Sequence, residues 1–171
     1  MGSFGTAWAS VLNDFVSSGG IVIACSHAQD EHLILQNSGL MTVSPYTASS
    51  SLSLTKTTET VLNAGVSVPF TGQWIHQYSA TTNGQVSLRA VSGGYPVVLS
   101  RDVGAGHVVM IGTDYYTLGT GMDRVIANAV QWAQSSASPV AIAPTSAGFT
   151  NGVWTGDVTV LEEATDMYLR A

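Results

Sequence analysis

The chain of 171 residues is long enough for one domain, or one domain and a short piece of another, and can bury about two-thirds of its unfolded surface. A net charge of −6, with five basic residues scattered along the chain, excludes an electrostatic grip on nucleic acid or anionic lipid, and no apolar run approaches the ~20 residues of a membrane span. Only 9% of the residues are charged, against about a quarter in ordinary globular proteins, so the surface is coated with Ser, Thr and Gly, as suits a secreted or cell-surface module.

Trp8, Val11, Leu12, Phe15 and Val16 recur at i, i+3, i+4, i+7 and i+8, which predicts an amphipathic helix from residue 5 to about 18, stopped by Gly19-Gly20. The unbroken apolar run Ile21-Val22-Ile23-Ala24-Cys25 reads as an interior strand. Leu33, Ile34 and Leu35 suggest a short helix that starts near Gln29 or Asp30 and stops at Asn37-Ser38-Gly39. Residues 42–85 are rich in Ser and Thr and interrupted by Pro45 and Pro69, which predicts an irregular excursion with short strands and one helical turn at 58–63. Strands are expected at 86–91, 96–100 and 107–112 as antiparallel neighbours, the last two joined by the turn Asp102-Val103-Gly104-Ala105-Gly106.

Thr120-Gly121-Met122-Asp123 has capping-box spacing, and Met122, Val125, Ile126, Ala129, Val130 and Ala133 then predict a second amphipathic helix. Ser135-Ser136-Ala137-Ser138-Pro139 reads as a linker. Beyond it, Gly152-Val153-Trp154-Thr155-Gly156 and Asp157-Val158-Thr159-Val160 have the turn-and-strand texture of a β-sandwich. The expected division is a domain over 1–138 and a linker with a β tail over 139–171.

Two groups of residues carry a family resemblance. Leu12-Asn13-Asp14-Phe15-Val16 with Gly19-Gly20-Ile21-Val22, and Gly106-His107-Val108-Val109-Met110-Ile111-Gly112-Thr113-Asp114 with Asn128-Ala129-Val130-Gln131-Trp132-Ala133, resemble the class I glutamine amidotransferase-like superfamily, in its ThuA-like branch. The tail from Phe149 resembles the start of an Ig-like repeat of large bacterial surface proteins. The resemblance implies an α/β, flavodoxin-like sheet with helices on both faces, incomplete at its amino terminus, and a functional residue at a sharp strand-to-helix turn, where Cys25 falls. A sheet lacking its first strands is expected to expose an edge, and hence to form a homodimer or to rewire that edge. The signal of an exported parent is expected upstream, because the amino terminus has no basic n-region.

The pattern also departs from the family. Ala24 and Ser26 flank Cys25 where relatives carry glycines, Thr113 stands where ThuA-like proteins carry a His, and only Asp114 answers to the family's His-Pro-Glu element.

Chemistry is therefore expected at the carboxyl end of the 21–25 strand. Cys25 or Ser26 would serve as nucleophile with His27, His76 or His107 as base, and Asp114 would orient the base or a ligand. The competing view makes Cys25 a buried core thiol. His27, Asp30, Glu31 and His32 form the densest group of metal-ligand side chains. His27 and His32 lie about 140° apart on a continuous helix, so both reach one divalent ion only if a turn separates them. Otherwise Asp30 and Glu31 complement the helix dipole. The favoured reading is a degenerate amidotransferase-like binding or scaffold module of a larger bacterial surface or secreted protein, with a small-molecule ligand, no nucleic-acid partner and no membrane insertion. The alternative is a small hydrolase of an ester, lactone or amide bond, working through Cys25 or Ser26 with a histidine, or through a metal-activated water.

Overall fold

The computed structural model describes residues 1–26, 30–81, 83–117, 121–135, 142–144, 148, 150–151 and 153–161. The chain forms two compact units, Met1–Ser136 and Ala137–Ala171. In the second unit, the described residues include a two-stranded antiparallel pair, Ile142–Ala143 with Thr159–Val160, and a bridge between Thr150 and Val153.

The first unit opens with α1 (Gly2–Ala7) and α2 (Ala9–Ser17), two segments of one helical path that changes direction at Trp8. The predicted apolar stripe is split between two environments. Val16 is buried and Leu12 packs against the core beside it, whereas Trp8, Val11 and Phe15 are more than half exposed. Gly19, with φ of 111°, turns the chain into β1 (Ile21–Cys25), and α3 (His32–Asn37) follows.

The next stretch overturns an expectation. Residues 42–85 are not irregular: they contain a long hairpin of β2 (Val43–Lys56) and β3 (Phe70–Thr81), registered from Val43 opposite Thr81 to Leu54 opposite Phe70. Ser and Thr predominate in β2 because its side chains alternate between solvent and a partly covered face, and only Val43 and Leu54 are fully buried. β4 (Gln85–Ala90), β5 (Pro96–Val103), β6 (Gly106–Ile111) and α4 (Gly121–Ser135) complete the unit.

The six strands lie in the order β1-β6-β5-β4-β2-β3. Only β1 and β6 are parallel; the other four neighbouring pairs are antiparallel. The sheet curls into a mixed half-barrel, which corrects the expected flavodoxin-like α/β sheet. A doubly wound sheet needs successive parallel strands joined by helical crossovers, whereas here the sheet neighbours β3, β2, β4, β5 and β6 all pair antiparallel and only β1 joins β6 in parallel. Helices still cover both faces. On one, α4 seats Met122, Val125 and Ala129 on Leu54, Leu88, Val98, Val109 and Ile111; on the other, α2 and α3 contribute Val16 and Leu35 to a core with Tyr78, Leu99, Val108 and Met110.

The curl brings the far strand back to the centre. The His76 amide in β3 donates to the Gly112 carbonyl just past β6 at 2.7 Å, and the Gly112 amide donates to the Val97 carbonyl in β5 at 2.8 Å. A side chain at Gly112 would collide with the His76 carbonyl, so closure requires glycine there. Gly106, at the other end of β6, is held as closely by the carbonyls of Val16 and Gly20.

Candidate functional site

The parallel pair carries the carboxyl ends of β1 and β6 to the same place, Cys25 opposite Ile111. Cys25 is half-buried at the margin of the α4-covered core. Ser26, the next residue, is fully buried, its amide donating to the Ile111 carbonyl at 2.9 Å and its hydroxyl to Glu31 Oε2 at 3.4 Å. Beyond Gly112 come Thr113, buried, and Asp114, whose Oδ1 accepts the Tyr116 amide at 3.0 Å.

β3 supplies residues the sequence did not single out for this place. Tyr78 is fully buried, and its phenol lies within electrostatic reach of Ser26, Glu31 and Cys25. Burial pushes that phenol well above its ordinary ionisation range; Ser26 works the other way, and the charges that Glu31 and Cys25 would carry raise it further. Tyr115 approaches from the segment after β6 with φ of 60°, a left-handed backbone uncommon for a bulky residue. Its hydroxyl donates to the Met122 carbonyl at 3.1 Å, and its phenol too is raised, mainly by burial and then by Cys25 and Asp123. The sequence signal for Tyr78 was the alternation through residues 73–78, which fits a half-buried strand as well as a pocket wall.

The electrostatics bear directly on a nucleophile. Burial raises the Cys25 thiol above its ordinary value of 9.0, and the Asp114 carboxylate raises it further. A reactive cysteine needs the reverse, a cationic or dipolar neighbour that favours thiolate. Asp114 therefore stands where expected but acts on Cys25 itself, and it disfavours the reactive form.

The other expected residues separate. His27 lies outside the described residues. Asp30 is exposed, Glu31 turns toward Ser26, and His32, the first residue of α3, is buried. Among the described residues no three His, Cys, Asp or Glu side chains gather as metal ligands. His76 is buried in β3, and His107 lies at the opposite end of β6, paired in register with Ile21 rather than with Cys25. No helix among the described residues is long and apolar enough to cross a membrane.

No protein-family model matches the chain, and no curated protein matches it. Among solved structures, the crystal structure of a β-galactosidase from Bacillus circulans sp. alkalophilus is similar, with a TM-score of 0.54 at 15% identity. The match covers 78% of this chain and 21% of that one. At that identity the likeness is one of fold. It joins the chain to a β-rich region of a glycosidase, and the amidotransferase-like, flavodoxin-like and α/β descriptions are corrected accordingly. The chain spans about a fifth of that enzyme's length.

Proposed function

We propose that the domain is a non-catalytic binding or scaffold module of a larger bacterial surface or secreted protein. The observation that carries this reading is the state of the two candidate nucleophiles: Cys25 is held as thiol by burial and by Asp114, and the Ser26 hydroxyl is enclosed beside Glu31 and Tyr78. The low charge of the chain and its one-fifth share of a structurally similar enzyme support a module that works inside something larger.

A scaffold needs a surface, and the chain offers one. Trp8, Val11 and Phe15 follow a 3-4 spacing into and along α2, Phe4 of α1 lies beside Trp8 with ring centroids 5.5 Å apart, and each of the four is more than half exposed. The stripe ends over Gly20, at the start of β1, which is itself an edge of the sheet. A second copy laid across both would cover four large apolar side chains and an unpaired strand edge, enough for a weak dimer. Dimerisation that disappears in Val11→Asp by sedimentation velocity supports this arrangement. A monomer at all concentrations removes it.

The catalytic alternative is tested with ester, lactone and amide panels on the intact chain. We expect no turnover above that of Cys25→Ala, and no change on chelation. Turnover that is lost in Cys25→Ala, in His27→Ala or with chelator overturns the proposal in favour of a hydrolase. A second readout is thiol alkylation, which should be slower than for a free cysteine and accelerate several-fold in Asp114→Asn.

A further inference from the structure

Two hollows lie at the amino end of β6, away from Cys25. A groove of about 510 Å³ is bounded there by Trp132 from the last turns of α4, Glu59 and Thr60 from the loop after β2, and Gln85, Ser100 and Asp102 from β4 and β5. A second hollow of about 300 Å³ shares Gln85, Ser100 and Asp102 and extends to Asn83 and Arg101. The two hollows adjoin at these three residues of β4 and β5 and are taken together as one channel.

Its walls have a definite chemistry. The Trp132 ring stacks on His107 with centroids 3.8 Å apart and planes 24° from parallel, and His107 Nδ1 lies 2.8 Å from Asp102 Oδ1. An aromatic plate is thus fixed at one end and tied through His107 to a carboxylate on the channel floor. Glu59 is bridged by Lys56 Nζ at 2.9 and 3.2 Å. Both acids have a partner, so the channel does not present two bare negative charges, yet each carboxylate retains lone pairs that can accept further hydrogen bonds. Gln85 and Asn83 add amides that donate and accept, and Ser100 adds a hydroxyl.

We propose that this channel binds a neutral, linear, polyhydroxylated ligand, an oligosaccharide segment lying over β4 and β5 with one ring against Trp132. An indole offers a flat apolar surface to the C–H face of a sugar ring, while carboxylates and amides match its hydroxyls, which both donate and accept. A bare cation would have to compete with Lys56 for Glu59 and with His107 for Asp102. An anion would meet two carboxylates, since Arg101 in the second hollow already donates to the Gly39 and Leu40 carbonyls, while Val61, Leu62 and Ala64 give the larger hollow an apolar strip that suits the C–H faces of a sugar beside the amides of Gln85 and Asn83. The combined hollows exceed the space one sugar ring needs and fall within the size range of small-ligand sites. The openness of the channel implies weak affinity, with Kd in roughly the 0.1–10 mM range. This inference rests on the binding-module reading and names the ligand class.

The test is two-dimensional amide NMR on the intact chain, titrated separately with cellotetraose, maltotetraose and a β-1,4-linked galactotetraose to about 10 mM, with spermidine as the cationic probe. The expected result is a saturable shift of Gln85, Ser100, Asp102 and the Trp132 indole N–H with at least one tetrasaccharide. That binding should weaken at least tenfold in Trp132→Ala and in Gln85→Ala and stay unchanged in Trp74→Ala, whose exposed ring lies in β3. Gln85 is an exposed strand residue, so its variant keeps the test valid if Trp132→Ala loosens α4. Absence of saturable shifts with all three sugars overturns the proposal. So does binding that neither variant weakens, or spermidine binding the channel more tightly than any sugar. Hydrolytic turnover in the panels above would remove the non-catalytic reading without touching this result, because the titration can be repeated on Cys25→Ala.

Discussion

The two ends of β6 treat their polar side chains in opposite ways. At the carboxyl end, Ser26, Tyr78, Thr113 and His76 are drawn inside as β3 folds back onto Gly112, and what gathers around Cys25 is enclosed by protein. At the amino end, β3 is far away in the sheet order, and Asp102, Gln85 and Glu59 remain exposed around a half-buried Trp132. Chemistry-bearing residue types are plentiful at the carboxyl end, whereas the two hollows lie at the other.

The contrast can be broken hardest at Gly112. Gly112→Ala should drive a methyl into the His76 carbonyl and cost about 3 kcal/mol or more in urea unfolding, by overpacking that neither β3 nor β5 can relieve. An unchanged midpoint would show that the closure is loose. Asn128→Ala comes next. Its buried amide donates to the Leu62 and Ala64 carbonyls at 3.0 and 2.9 Å, and both residues border the channel. Stranding those carbonyls should cost about 2 kcal/mol, and it should broaden the amide resonances of residues 60–64.

A pH series separates the two ends without mutation. Burial favours the neutral forms of Cys25, Tyr78 and Tyr115 in the folded chain, whereas the unfolded chain ionises them at their ordinary values of 9.0 and 10.0. Their stabilising effect is therefore complete below pH 9 and lost as pH rises toward the raised folded values. The urea midpoint should fall above pH 9, and less steeply in Tyr115→Phe. A fall of equal slope in that variant would place the titrating groups elsewhere. The smallest effect is expected at the open end, where Asp102→Asn weakens an exposed pair with His107 and should change stability by less than about 1 kcal/mol.

Much of the local structure was legible from side-chain period. The apolar run at 21–25, the strands near 86–91 and 107–112, and the helix after Gly121 are formed close to their expected limits, because each buries a face whose spacing identifies it, whereas the strand expected at 96–100 runs on to Val103 through residues read as a turn. The stripe of α1 and α2 was legible as helix but not as surface. Periodicity shows that Trp8, Val11 and Phe15 share a side with Leu12 and Val16, not which of them the sheet will reach. β2 was illegible because Ser and Thr carry almost no hydropathy contrast, so its alternation between solvent and a half-covered face leaves no trace.

At the candidate site, the sequence by itself brought Cys25, Ser26 and Asp114 to the ends of two strands, since strand ends are set by local pattern. It had no means of placing Tyr78 beside them, or Trp132 on His107, or Glu59 across from Asp102. Those neighbours come from pairings between distant segments, and their direction and curvature follow from how the whole sheet closes. A local period fixes which residues face inward, but only the antiparallel pairing and the curl of the sheet decide which inward-facing residues meet and which end of a strand stays open to a ligand.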